Sequence, residues 1–130
     1  MHTITAADLL CPCCDTGNPD PRLIAGLNHL QQLLHTDLAI RSACRCPKHN
    51  TEVGGAVSSQ HLTGRAADVY APGRSSLELY LAADHIPIFR DGGIGLYPGE
   101  FIHLDTRLSR SRWFRIQGQD RPITDYLSQA

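Results

Sequence analysis

SSQHLTGRAADV, residues 58–69, is the stretch on which the reading of this chain turns. Ala66 to Tyr70 is a short apolar run of strand length behind a polar, glycine-containing loop, and it predicts a buried β-strand. Asp68 lies inside that run, flanked by Ala66, Ala67 and Val69, where an unpaired carboxylate is expensive to bury. Three partners would relieve it: a metal ion, an arginine such as Arg65, or backbone donors of a turn that it caps. His61 sits in the loop upstream, and Gly64 suits a sharp turn between the two.

GEFIHLD, residues 99–105, supplies a second set of such groups. Ile94 to Tyr97 and Phe101 to Asp105 are strand candidates joined by the turn dipeptide Pro98-Gly99, so they predict a hairpin. His103 falls in mid-strand, and Glu100, at the turn, is close enough to share its cavity without also being a ligand. His61, Asp68 and His103 would give two imidazoles and one carboxylate. That set leaves the fourth tetrahedral position of zinc open, as catalytic sites do.

Outward from these segments, Asp20-Pro21 is a helix start, and Leu23, Ile24, Leu27, Leu30 and Leu34 recur at helical spacing as one apolar stripe. His29 and His35 on that helix read as surface or packing residues. A short capped helix follows Thr5, a strand spans Leu38 to Ile40, and Pro47 opens a short helix stopped by Gly54-Gly55. Another helix runs from about Ser76 to Ala83, and the tail from Trp113 to Leu127 has enough apolar residues to dock on the core. Strands without regular βαβ spacing indicate an α+β fold with a small, mainly antiparallel sheet and flanking helices.

The chain has 130 residues, which suits one domain over residues 1–130 and one functional site. A net charge of −1 gives no footprint for nucleic acid. Arg107, Arg110, Arg112 and Arg115 are the local exception, read as a solvated face or a binder of acidic substrate. No apolar stretch reaches the roughly 20 residues that span a bilayer, and no export signal is visible, so membrane insertion is not expected. The expected location is cytoplasmic until release, or the periplasm or cell wall if a signal has been removed.

Ser59-Gln-His61-Leu-Thr-Gly64-Arg-Ala66-Ala-Asp68, followed by Glu100-Phe-Ile-His103-Leu-Asp105, resembles the zinc D-Ala-D-Ala carboxypeptidase family. That family includes vancomycin-resistance D,D-dipeptidases and phage endolysin L-Ala-D-Glu peptidases, and shares its fold with hedgehog domains. Arg45-Cys-Pro-Lys-His49-Asn50 with Val53-Gly54-Gly55, and Gly93 to Tyr97, extend the likeness. The resemblance implies one catalytic Zn2+ on His61, Asp68 and His103, with Glu100 as general acid/base and Arg45 as the cation facing the developing oxyanion; Arg41 is a weaker candidate. It places Ser59 near the metal, where it would touch substrate or cap the loop, and Trp113 at the cleft wall or in the core. Asp105, on the same strand face as His103, would orient a ligand from behind.

The implied substrates are peptidoglycan stem peptides, cleaved by a monomeric enzyme through metal-activated water. The implied alternatives are an L-Ala-D-Glu endolysin endopeptidase and a non-catalytic zinc-containing binding or assembly domain.

Five cysteines fall in two groups, Cys11, Cys13, Cys14 and Cys44, Cys46. Cys11 and Cys14 with Cys44 and Cys46 would make a closed structural zinc site; disulfides and free thiols remain equally compatible with the spacing. A cysteine-protease reading finds no supporting pattern.

Overall fold

Residues 2–56 and 59–127 are described by a computed structural model, so Ser58, the first residue of the 58–69 segment, lies outside the described residues. The strands are β1 (Ala39–Ser42), β2 (Ala66–Tyr70), β3 (Gly93–Tyr97), β4 (Phe101–Asp105), β5 (Ser111–Ile116) and β6 (Gln119–Pro122). They form one sheet in the order β1-β2-β4-β3-β5-β6. Every neighbouring pair is antiparallel except β3 and β5, which run parallel. The helices are α1 (Pro21–Leu34), α2 (Pro47–Glu52), α3 (Ser76–Ala83), α4 (Pro87–Arg90) and α5 (Ile123–Leu127). The fold is therefore α+β with a mainly antiparallel sheet.

Local chemistry explains the helix starts. Asp20 caps α1 by accepting from Arg22 N, with Pro21 at the first helical position. Ser75 and Glu78 form a reciprocal capping box on α3. Thr5 precedes a single 3-10 turn, Ala6–Leu9, where a short helix was expected. His29 and His35 are exposed, as the helical stripe implied.

The sheet sorts its residues with the two-residue period of a strand. Ala67, Val69, Ile94, Leu96, Ile102, Leu104 and Phe114 project to one face. There they join Leu23, Leu27 and Leu30 of α1 and Leu79 of α3 in one hydrophobic cluster. Each fully buried Leu or Ile stabilises the fold by roughly 1.5–3 kcal/mol relative to exposure. The alternate positions, Asp68, His103, Asp105 and Trp113, therefore share the opposite face.

Two features of the tail depart from the sequence reading. Residues 111–122, expected only to dock, form β5 and β6, and β5 enters the sheet parallel to β3. Arg112 explains why the alternation is hard to see. Its side chain is only 7% exposed, pairs with Asp84 at 2.6 Å, and donates to the carbonyls of Phe89, Arg90 and Gly92 at the end of α4. The arginine group is thus no uniform solvated face: Arg110 also pairs with Asp84, Arg107 with Asp105, and Arg115 with Asp120.

Candidate functional site

One row of residues crosses the sheet. Ser42 of β1 pairs with Asp68 of β2, Asp68 with His103 of β4, His103 with Gly95 of β3, and Gly95 with Trp113 of β5. Direct cross-strand partners share a face, so Asp68 and His103 meet: His103 Nδ1 lies 3.0 Å from Asp68 Oδ1. Gly95 leaves room for the indole. A Cβ there would meet the Trp113 ring at 2.5 Å, and the ring packs 5.1 Å from that of His103.

His61 arrives from outside the sheet, on the 3-10 turn Gln60–Thr63. Ser59 accepts from His61 N and fixes the start of that turn, while Gly64, at φ +73°, ends it; a side chain at Gly64 would also collide with the Asn18 carbonyl. His61 Nδ1 is 2.6 Å from the carbonyl of Ala43. A carbonyl only accepts, so Nδ1 carries the hydrogen and the lone pair of Nε2 faces Asp68 Oδ2 at 3.3 Å.

His103 is oriented in the same manner from its other side. Its Nε2 lies 2.7 Å from Asp105 Oδ2, which leaves Nδ1 toward Asp68. Asp105 is fully buried and accepts also from Gly93 N and from Arg107 through its backbone N, Nε and Nη2. Orienting a ligand imidazole by a carboxylate behind it is a recurrent feature of metal centres. One donor atom from each of His61, Asp68 and His103 lies within 4.8 Å of the others, and all three residues are buried. Two imidazoles and a carboxylate, each held by a partner of its own, fit zinc in composition, with His103 giving up its Nδ1 proton where the metal binds.

Arg65, offered by the sequence as a partner for Asp68, is exposed. Arg45 takes that place. Its Nη2 is 3.6 Å from Asp68 Oδ2, its Nε donates to Ser42 Oγ and its Nη1 to Asn50 Oδ1, both at 3.2 Å. Asn50 in turn donates to the carbonyl of Ala56. Ser42 and Asn50 thus position Arg45, a role that the sequence reading missed, although Asn50 belongs to the motif it quoted.

Ser42, Arg45, His61, Asp68 and His103 line a cleft of about 840 Å³, together with Arg41, Ser59, Tyr97, Glu100, Arg107, Trp113 and Arg115. Glu100 stands at its edge in the β3–β4 turn, with a side chain 58% exposed and Arg41 Nη1 at 3.9 Å. The buried N–H of Trp113 makes no hydrogen bond of standard geometry. The Tyr97 hydroxyl is near enough to feel it, but burial dominates there and pushes that phenol up.

Electrostatics follow from burial and partners. Burial acts to raise the Asp68 carboxyl, but His103 and His61 outweigh it and hold it well below the ordinary carboxylate range. Asp105 is held down in the same way by His103 and Arg107. Burial acts to lower His103, and its bonds to Asp105 and Asp68 raise it overall.

Opposite pH slopes should result. In the metal-free protein the stabilisation from protonated His103 is complete below about pH 6.5 and is lost as pH rises through the raised value. Zinc needs the Nδ1 lone pair, so its affinity rises with pH over the same range. Thermal melts of metal-free protein taken upward from about pH 6.5 should show a decline that His103→Gln lacks, while zinc competition titrations show tightening. Slopes of the same sign would contradict the assignment.

The chain belongs to the Peptidase M15 family, whose model matches residues 4–105. The match contains every residue of the row except Trp113. No curated protein matches the chain. M15 peptidases are zinc-dependent, so the chain is of a metal-dependent peptidase family. Among the described residues, no helix is long and apolar enough to cross a membrane.

Proposed function

We propose that the chain hydrolyses peptide bonds in peptidoglycan stem peptides, as a D-Ala-D-Ala carboxypeptidase-like zinc enzyme with the fold of the hedgehog/DD-peptidase group. The observation that carries this reading is the convergence of His61 Nε2, His103 Nδ1 and an Asp68 oxygen on the floor of a cleft that also holds Glu100. The cleft presents guanidinium groups of Arg41, Arg45, Arg107 and Arg115, each paired with an acid: Glu100, Asp68, Asp105 and Asp120 respectively. Stem peptides carry free carboxylates, and guanidinium N–H groups not used by those acids can donate to them.

Zinc held by His61, Asp68 and His103 would supply a Lewis acid for the scissile carbonyl and lower the pKa of the attacking water. Glu100 accepts the proton of that water and delivers it to the departing amine. Arg45, held by Ser42 and Asn50, places positive charge where the carbonyl oxygen becomes negative. Asp105 keeps His103 in the ligand tautomer, Ser59 holds the turn that carries His61, and Trp113 forms the wall against which substrate packs. A non-catalytic zinc domain would need no carboxylate at the edge of the ligand cleft, whereas the proposed hydrolysis gives Glu100 a use there.

An L-Ala-D-Glu endopeptidase is favoured by one specific observation. The cleft lining runs from His49 of α2 and its C-cap Val53 to Arg115 of β5 and Asp120 of β6, and includes the ligands. Such a span accommodates chain on both sides of the cleaved bond. Mass spectrometry of muropeptides after incubation with zinc-loaded protein tests the proposal. Loss of a terminal D-Ala supports the carboxypeptidase reading and a split stem the endopeptidase reading; no product from either overturns both.

A further inference from the structure

The cysteines lie outside the site just described, and the fold gathers four of them. Cys11, Cys13, Cys14 and Cys46 place their sulfurs within 4.8 Å of one another. Cys13 Sγ is 3.3 Å from Cys46 Sγ and 3.7 Å from Cys11 Sγ. A tetrahedral zinc with Zn–S bonds of about 2.3 Å spaces its sulfurs at about 3.8 Å, inside the range seen here.

This set corrects the one that sequence spacing suggested, since Cys13 takes the place of Cys44. Cys44 N donates to the Leu9 carbonyl, and its side chain is buried against Gly17, where a Cβ would approach Cys44 Sγ to 2.9 Å. Its thiol therefore lies outside the cluster.

The backbone around the four sulfurs is arranged for thiolates. Cys46 N donates to Cys11 Sγ and His49 N to Cys46 Sγ, each at 3.4 Å. The loop holding Cys11 to Cys14 is closed by Cys11 N to the Thr16 carbonyl and Asp15 N to the Cys11 carbonyl, both at 2.7 Å, with Asp15 at φ +56°. N–H groups directed at sulfur stabilise charge that a neutral thiol would not need. A single disulfide would leave two sulfurs crowded against it, and two disulfides would leave the N–H groups aimed at Cys11 and Cys46 with no charge to meet; a divalent cation on four thiolates uses every sulfur and both donors.

We propose that Cys11, Cys13, Cys14 and Cys46 form a second, closed tetrathiolate site for one zinc ion, which fastens the loop at residues 11–16 to the start of α2. The position gives the site its role. Arg45 immediately precedes Cys46, and Pro12, between two of the ligands, lines the cleft. Zinc there fixes the cleft wall and the backbone from which Arg45 reaches Asp68, Ser42 and Asn50, so it is structural and takes no part in bond cleavage.

The test uses the full chain, purified under reducing conditions and loaded with zinc alone. Wild-type protein is expected to bind two zinc ions per chain, and X-ray absorption should show sulfur scatterers at about 2.3 Å besides nitrogen and oxygen. His61→Ala/His103→Ala should keep one ion with sulfur scatterers alone, and cobalt in its place should give thiolate-to-metal charge-transfer bands. Cys13→Ser/Cys14→Ser should lose those bands and one ion while retaining the ion on nitrogen and oxygen. Sulfur-free spectra from zinc-loaded wild type, or a Cys13–Cys46 disulfide in its peptide map, would overturn the proposal whether or not either double variant folds. Neither outcome depends on the hydrolytic activity.

Discussion

Glu100→Gln is expected to keep its zinc and to lose stem-peptide hydrolysis by a factor of roughly 10²–10⁴, the usual range for a missing general acid/base. The amide preserves the shape of the side chain but accepts no proton from water and returns none to the amine. Stability should hardly move. The side chain is 58% exposed, and its ion pair with Arg41 spans 3.9 Å in solvent, where such pairs contribute at most about 1 kcal/mol. Metal content, melting temperature and kcat measured on the same preparation separate the two effects. A variant with full zinc and full activity would remove Glu100 from the mechanism and, with it, the argument against a non-catalytic zinc domain.

Asp105→Ala should act oppositely, through structure and metal affinity. This carboxylate is fully buried and holds His103 Nε2, Gly93 N and the guanidinium of Arg107 at once. Removing one partner of a buried pair leaves the other uncompensated, which costs about 3–5 kcal/mol. The loss of orientation at His103 should weaken zinc binding by roughly 10–100-fold. Asp105→Asn, which keeps an accepting oxygen, should fall between wild type and alanine in both respects. Urea unfolding and zinc competition check the two numbers independently. Wild-type zinc affinity in Asp105→Ala would show that His103 needs no partner behind it.

Much of the scaffold could be read from local pattern because local physics fixes it. The run Ala66–Tyr70 and helix Ser76–Ala83 form with the bounds that periodicity and capping residues indicated. The turn at Pro98-Gly99 does join an antiparallel hairpin. In contrast, β5 hides its alternation behind Arg112 and Arg115, whose charges are neutralised by Asp84 and Asp120, acids that its own sequence does not contain. Its parallel pairing with β3 is a long-range choice that no window of sequence contains. Helix α4 has only four residues and no stripe to detect.

The site divides along the same line. Residue types in two segments made His61, Asp68, His103 and Glu100 candidates, the family resemblance gave them their roles, and the structure brings them to one cleft. What the sequence could not show was the register that pairs Asp68 with His103, or the space over Gly95 that admits Trp113. Nor could it show that the carbonyl of Ala43 sets the His61 tautomer, since that contact spans eighteen residues. The exchange of Cys44 for Cys13 has the same cause: spacing counts residues, whereas the direction of each thiol depends on turns closed by Thr16 and Leu9.

Anomalous diffraction at the zinc absorption edge, from crystals grown with zinc, tests the convergence of the three side chains most directly. The predicted result is a peak about 2.0–2.2 Å from His61 Nε2, His103 Nδ1 and an Asp68 carboxylate oxygen, irrespective of any peak among the cysteines. Ordered side chains with no anomalous density between them would contradict the metal centre on which the peptidase reading rests.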